Sequence, residues 1–167
     1  VLFWGLAWQL DQKEWTQASG KPLRVALVQG NIDQATKWLP SSRKQIFQKY
    51  FDTTRSLQDV DIVIWPETSI PAFYQAVQDN FLVDLWQVAK EKGIELLVGL
   101  PVYGEEEQQY YNSMVSVGAE TGFYHKRHLV PFGEYIPLKS VFKNLLDILH
   151  VPMADFSEGQ DTQIPVT

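Results

Sequence analysis

The chain has 167 residues, enough for one domain and too few for two comfortable ones. With 45% hydrophobic residues and 13% aromatics it can bury a core, which excludes a disordered segment. A formal net charge of −6 argues against nucleic-acid binding, because phosphate neutralisation needs a basic face, and zero cysteines exclude disulfides, thiolate metal sites and a cysteine nucleophile within these residues. In chain order, Val1 to Leu10 is apolar but covers ten residues, where a membrane span needs about 20. Two readings stay open for it. One is the tail of a transmembrane helix, with Trp4 and Trp8 at headgroup level; the other is a short core helix or a surface-packing segment. Val1 is not Met and no signal peptide follows, so the chain reads as an internal part of something longer. Asp11 to Pro22 is polar and closes on Ser19-Gly20-Lys21-Pro22, a linker, so residues 1–22 form a leading segment and the globular part spans 23–167.

Leu23 to Gln29 is a β-branched apolar run closed by Gly30-Asn31, the pattern of a buried strand. A loop is expected through Trp38-Leu39-Pro40. Ser41 and Ser42 are candidate N-caps for a helix whose Ile46, Phe47, Tyr50, Phe51 and Thr54 share one face. Val60 to Trp65 predicts a second strand, ended by Pro66. Asn80 to Lys92 predicts a helix with Phe81, Leu82, Leu85, Val88 and Ala89 inward and Gly93 as its stop. Further strands are expected at 94–100, 110–117 and 123–125, and a last helix from Val141 to Leu149. Alternation of strand and helix, followed by consecutive strands, predicts an α/β (α+β-like) sheet with helices on one face. No internal repeat is present.

Three charged residues stand in settings that suit chemistry. Glu67 follows a buried strand in Trp65-Pro66-Glu67, and strand ends are where α/β proteins present reactive groups. A carboxylate held beside Trp65 suits general base work; a solvated loop glutamate is the plainer account. Lys126, in Tyr124-His125-Lys126-Arg127, suits stabilisation of an oxyanion, or belongs to an ordinary basic patch. Glu134 lies in Leu129 to Pro137, which is too broken by proline and glycine for a strand and too apolar for a free loop. Such a stretch fits a packed loop lining a site, with Glu134 facing Lys126 or a substrate, or a buried connector whose glutamate pairs with an arginine. His125 and His128 lack the further ligands a zinc site wants, so no metal is expected. Neither a Gly-x-Ser-x-Gly elbow nor a phosphate-binding glycine loop occurs.

Together these segments resemble the apolipoprotein N-acyltransferases, a branch of the carbon–nitrogen hydrolase (nitrilase) superfamily. Val25 to Ile32 is similar to the first strand of their catalytic domains, Lys37-Trp38 follows at the family's spacing, and Trp65-Pro66-Glu67 looks like the general-base motif. Lys126-Arg127-His128-Leu129 matches the superfamily's lysine motif. The long form His128 to Pro137 is the most specific feature and points to the acyltransferase branch. The resemblance implies an αββα sandwich, incomplete here at its C-terminal side. It implies Glu67 as general base, Lys126 as oxyanion stabiliser and Glu134 as the glutamate supporting the lysine loop. Trp38 would lie near the lipid substrate, or be a simple packing residue. No cofactor is implied.

The reaction implied moves an acyl chain from a phospholipid donor to the diacylglyceryl-cysteine of an apolipoprotein acceptor. It would proceed by ping-pong through a thioester at the bacterial inner membrane, with the catalytic domain on the periplasmic side. The family's nucleophilic cysteine lies on a later strand and is missing from these residues, so the 167-residue chain by itself is expected to be inactive. Two other readings stay open: a soluble amidase or nitrilase of the same superfamily, and a catalytically degenerate domain that binds lipid or protein.

Overall fold

A computed structural model describes residues 2–106, 109–131, 133–135 and 156–160. The expected helix from Val141 to Leu149 lies outside the described residues. The chain begins with α1 (Leu2–Asp11), continues through β1 (Val25–Leu27), α2 (Gln34–Lys37) and α3 (Pro40–Ser56), and reaches β2 (Ile62–Ile64). Then follow α4 (Tyr74–Val77), α5 (Phe81–Lys92), β3 (Glu95–Tyr103), β4 (Tyr110–Val117) and β5 (Gly122–His125).

The five strands form one sheet in chain order. β1, β2 and β3 are parallel, with Ala26 opposite Val63 and Val63 opposite Leu96. β4 and β5 are added antiparallel, with Val98 opposite Val115 and Val115 opposite Phe123. β3 runs past β2 by six residues, and Pro101 sits in that overhang. A proline there removes no bond from a second neighbouring strand, which is why it does not end β3 as a sequence reading suggests.

Both long helices lie on one face. Ile46 and Tyr50 of α3, and Leu82, Leu85 and Ala89 of α5, meet Val63, Leu96, Val98, Leu100 and Val115 in a single core. α5 starts and stops as its sequence predicts. The Asn80 side chain caps the Phe81 N–H, and Gly93 takes a left-handed conformation with φ 64° that closes the last turn. α3 does not start at a serine cap. Pro40 occupies its first turn behind Leu39, whose side chain makes no cap, because a proline at that position forfeits only an N–H that is orphaned anyway. The stretch expected as a loop before it contains α2, nucleated by Asp33, whose carboxylate accepts from Ala35 and Thr36 N–H at 2.8 and 3.3 Å.

Trp65 is fully buried on the helix side, where its indole packs on Tyr50 at 4.7 Å and donates to Thr54 Oγ1 at 3.0 Å. Thr54→Val leaves that N–H without an acceptor in the core. It is expected to destabilise the domain by about 1–3 kcal/mol, read from the urea midpoint at unchanged slope.

On the opposite face of the sheet the β1 residues Val25 and Leu27 are 47% and 78% exposed. Helices on one face of a mixed sheet are the α and β layers with which an αββα sandwich begins. α1 packs on neither face. Phe3, Trp4 and Trp8 are 88%, 81% and 68% exposed, so the described structure does not place this helix in the core. No helix among the described residues is long and apolar enough to cross a membrane.

Candidate active site

The strand directions gather the site. β5 is antiparallel to β4, which is antiparallel to β3, so β5 ends on the same sheet edge as the parallel strands. Glu67 just after β2, Lys126 just after β5 and Asn112 near the start of β4 therefore meet on one edge. Along β4, Val115 and Val117 point into the helix-side core. Asn112, of opposite parity, belongs to the other face, where it is buried.

Lys126 Nζ is 2.9 Å from both oxygens of Glu134 and 3.5 Å from Glu67 Oε1. Asn112 Nδ2 donates to Glu67 Oε1 at 2.5 Å and to Glu134 Oε1 at 2.7 Å. The second oxygen of Glu134 also accepts the Val130 N–H at 2.8 Å. Glu134 is buried, whereas the Glu67 side chain is 60% exposed, so one carboxylate is structural in its setting and the other open to a reactant.

Backbone bonds hold these groups in place. Lys126 N–H donates to the Asn112 carbonyl at 2.8 Å, extending the β4–β5 ladder by one residue. Residues 156–160 run beside the site: Phe156 N–H donates to Glu134 O at 2.9 Å, and Gly159 N–H to Lys126 O at 3.0 Å. Gly159 must be glycine because a Cβ there would strike the His125 carbonyl. Glu67 is presented by a turn in which Ser69 N–H returns to Pro66 O at 3.2 Å and Thr68 takes φ 49°.

Burial opposes ionisation of Glu134, but hydrogen bonds from Lys126, the Val130 N–H and Asn112 outweigh it and hold its carboxyl below the usual carboxylate range. Burial likewise disfavours the Lys126 ammonium, and the two carboxylates reverse this and raise its pKa above the ordinary lysine value. A depressed acid contributes stability above its unfolded pKa and loses it as pH falls through the folded value. A raised lysine contributes below its unfolded pKa and loses it as pH rises through the folded value. Stability from this cluster is therefore greatest across neutral pH. Glu134→Gln should flatten the acid side of the stability–pH curve below about pH 4, measured by urea unfolding; an unchanged acid slope would refute this assignment.

Glu67, Lys126 and Glu134, all marked by the sequence, are thus brought together. Glu134 pairs with Lys126 and not with an arginine. Trp65 does not flank Glu67 as expected, because strand alternation sends its ring to the opposite side, into the core. Trp38 is half exposed at the end of α2 and is not part of this network. The residue before it, Lys37, is half-buried; burial lowers its pKa while the charge of Glu67 acts in the opposite direction, so a second cation senses the carboxylate.

Asn112 had no local signal beyond its oddity as an amide within an apolar strand; buried amides demand partners, and its partners are known only from the fold. His125 Nδ1 lies 2.7 Å from Ser113 Oγ, and its ring stacks on Tyr111. No group of three metal-ligating side chains occurs among the described residues.

The sequence profile of the family Carbon-nitrogen hydrolase matches residues 24–164, which include Glu67, Lys126 and Glu134. The chain belongs to this family. It is 46% identical over 155 residues to the apolipoprotein N-acyltransferase of Methylococcus capsulatus, a match covering 93% of this chain and 31% of that protein. With the apolipoprotein N-acyltransferase of Nitrosomonas europaea it shares 39% identity over 164 residues, 98% of this chain and 33% of the relative. The chain spans about a third of the length of these curated relatives. Among solved structures, NitN amidase from Neterenkonia sp. AN1 shares the fold at a TM-score of 0.50 and 20% identity, over 84% of this chain and 51% of the amidase.

Proposed function

We propose that the full-length protein carrying these residues is an N-acyltransferase. It moves an acyl chain from a phospholipid to the α-amino group of a diacylglyceryl-cysteine on an apolipoprotein, at the periplasmic side of a bacterial inner membrane. The observation that carries the reading is the Lys126 ammonium held between Glu134 at 2.9 Å and Glu67 at 3.5 Å, in a chain 46% identical to an apolipoprotein N-acyltransferase.

The nucleophile is a cysteine outside the 167 residues, which contain none. Glu67 takes its proton, and the thiolate attacks the phospholipid ester carbonyl. Lys126 donates to the oxyanion of the tetrahedral intermediate, and Glu134 keeps the ammonium aimed and charged. The intermediate collapses to a thioester, and the lysophospholipid leaves with the proton from Glu67. The lipoprotein amine then attacks the thioester, gives a proton to Glu67 and restores the thiolate as the amide forms. Keeping water from the thioester makes this a transfer and not a hydrolysis. Trp38 is placed by this reading at the lipid-facing side, and the exposed Trp4 and Trp8 of α1 suit a membrane headgroup layer.

The test is the full-length protein in detergent with phospholipid and a diacylglyceryl-cysteinyl lipopeptide. The expected product is a lipopeptide heavier by one acyl chain, and Glu67→Gln lowers its rate by about 10²–10⁴-fold. Release of ammonia from small amides with no lipopeptide acylation would replace this reading with an amidase.

A further inference from the structure

Within the hydrogen-bonded cluster two carboxylates share one ammonium, and a neutral side chain donates to both of them. Glu67 Oε1 and Glu134 Oε1 both approach Asn112 Nδ2, at 2.5 and 2.7 Å. An amide nitrogen carries two hydrogens, so each carboxylate receives one, and the acceptor end of the amide is turned away from both. Asn112 is 4% exposed, and water cannot easily stand in for it. The same residue accepts the Lys126 N–H on its backbone carbonyl at 2.8 Å, so the backbone from which the lysine side chain departs is tied to it as well.

We propose that Asn112 is a positioning residue of this site: its one NH2 group separates Glu67 from Glu134 and lets both stay ionised, leaving Glu67 free to accept a proton from a reactant. Carboxylates this close with no donor between them share a proton, and a base already holding half a proton is a poor base. Among the described residues the charged groups facing Glu67 are Lys126 after β5, Glu134 in the loop that follows and Lys37 on α2. Lys126 is divided between both acids, and Lys37 is coupled to Glu67 alone. Among the described residues only Asn112 donates to both carboxylates without adding charge. The lowered pKa of Glu134, to which Asn112 contributes after burial, Lys126 and Val130, agrees with this geometry.

The kinetic part of the test rests on the acyl-transfer reading above. Asn112→Asp keeps the shape and replaces the donors with a third acid. In the full-length protein the acidic limb of the kcat–pH profile is expected to rise by about one pH unit or more, with activity partly regained at alkaline pH. Asn112→Gln, which keeps the donors on a longer arm, should lower kcat and leave the limb in place. A uniform loss at every pH in Asn112→Asp, or an unshifted limb, would show a merely structural residue and overturn the proposal. Infrared pH-difference spectra of the same proteins separate this from failure of the functional reading. Carboxyl bands assigned with Glu67→Gln and Glu134→Gln should become protonated at higher pH in Asn112→Asp even if no acyl transfer is found. Identical titration in wild type and Asn112→Asp overturns the proposal whatever the substrate.

Discussion

On the proposed acyl-transfer reading, Lys126→Met should lower the rate of the full-length protein by about 10²–10³-fold, because that reading uses the Lys126 ammonium on the oxyanion, and it is the only ammonium bonded to the site's carboxylates among the described residues. The same change leaves Glu134 charged and buried with only the Asn112 amide and the Val130 N–H for partners. Breaking such a pair costs on the order of 3 kcal/mol, since the orphaned charge remains out of water. The double variant Lys126→Met/Glu134→Gln removes that charge, so it should regain much of the stability while staying inactive. Urea unfolding and single-turnover acylation check the two halves. A double variant no more stable than the single one would show that Lys126 and Glu134 are not energetically coupled.

The second large effect is expected at an uncharged position. Gly99 lies in β3 directly beneath the turn that presents Glu67. A Cβ there would strike the Pro66 carbonyl oxygen and come within 2.9 Å of Glu67 Cα and Thr68 N. These are backbone atoms, which cannot swing aside, and Gly99 O is itself bonded to Ser69 Oγ at 2.9 Å and Ile70 N at 3.2 Å. Gly99→Val must therefore push the Glu67 turn off β3 and lengthen the Asn112–Glu67 bond. Overpacking of this kind costs about 1–3 kcal/mol, and a displacement near an ångström costs on the order of 10² in rate. The loss should appear in kcat more than in KM, and Gly99→Ala should show a smaller effect in the same direction. Wild-type kcat in Gly99→Val would mean that the turn is not held by β3.

Much of this was legible in the residues. α5 is announced twice over, by its apolar period and by Asn80 and Gly93 at its ends, because those signals are local to the backbone that obeys them. β4 coincides with its expected limits. α3 starts at Pro40 and not behind a serine cap, because serine capping and proline at the first turn compete for the same end and only the path of the chain chooses. β3 outran its expected end because Pro101 is harmless where the second neighbour has stopped, a fact about β2 and not about Pro101.

The site divides in the same way. Glu67, Lys126 and Glu134 could be marked individually, since each sits in a motif of prolines, glycines and aromatics that is odd for a loop and apt for a family. That the three meet, and that Glu67 is open while Glu134 is covered, depends on strand direction and alternation across residues as far apart as 67 and 134. The place of Trp65 shows the limit most clearly. Adjacent in sequence to the Pro66-Glu67 turn, its ring was expected beside the carboxylate, yet it points into the core. Asn112 carries no flag in its own segment, because what makes it special is the pair of carboxylates that other elements bring to it. Sequence by itself determined the local elements and the chemical inventory, since propensity and periodicity act over a few residues. The tertiary structure alone decided which groups share hydrogen bonds, because charge pairing and burial are set by contacts between segments that the sequence keeps apart.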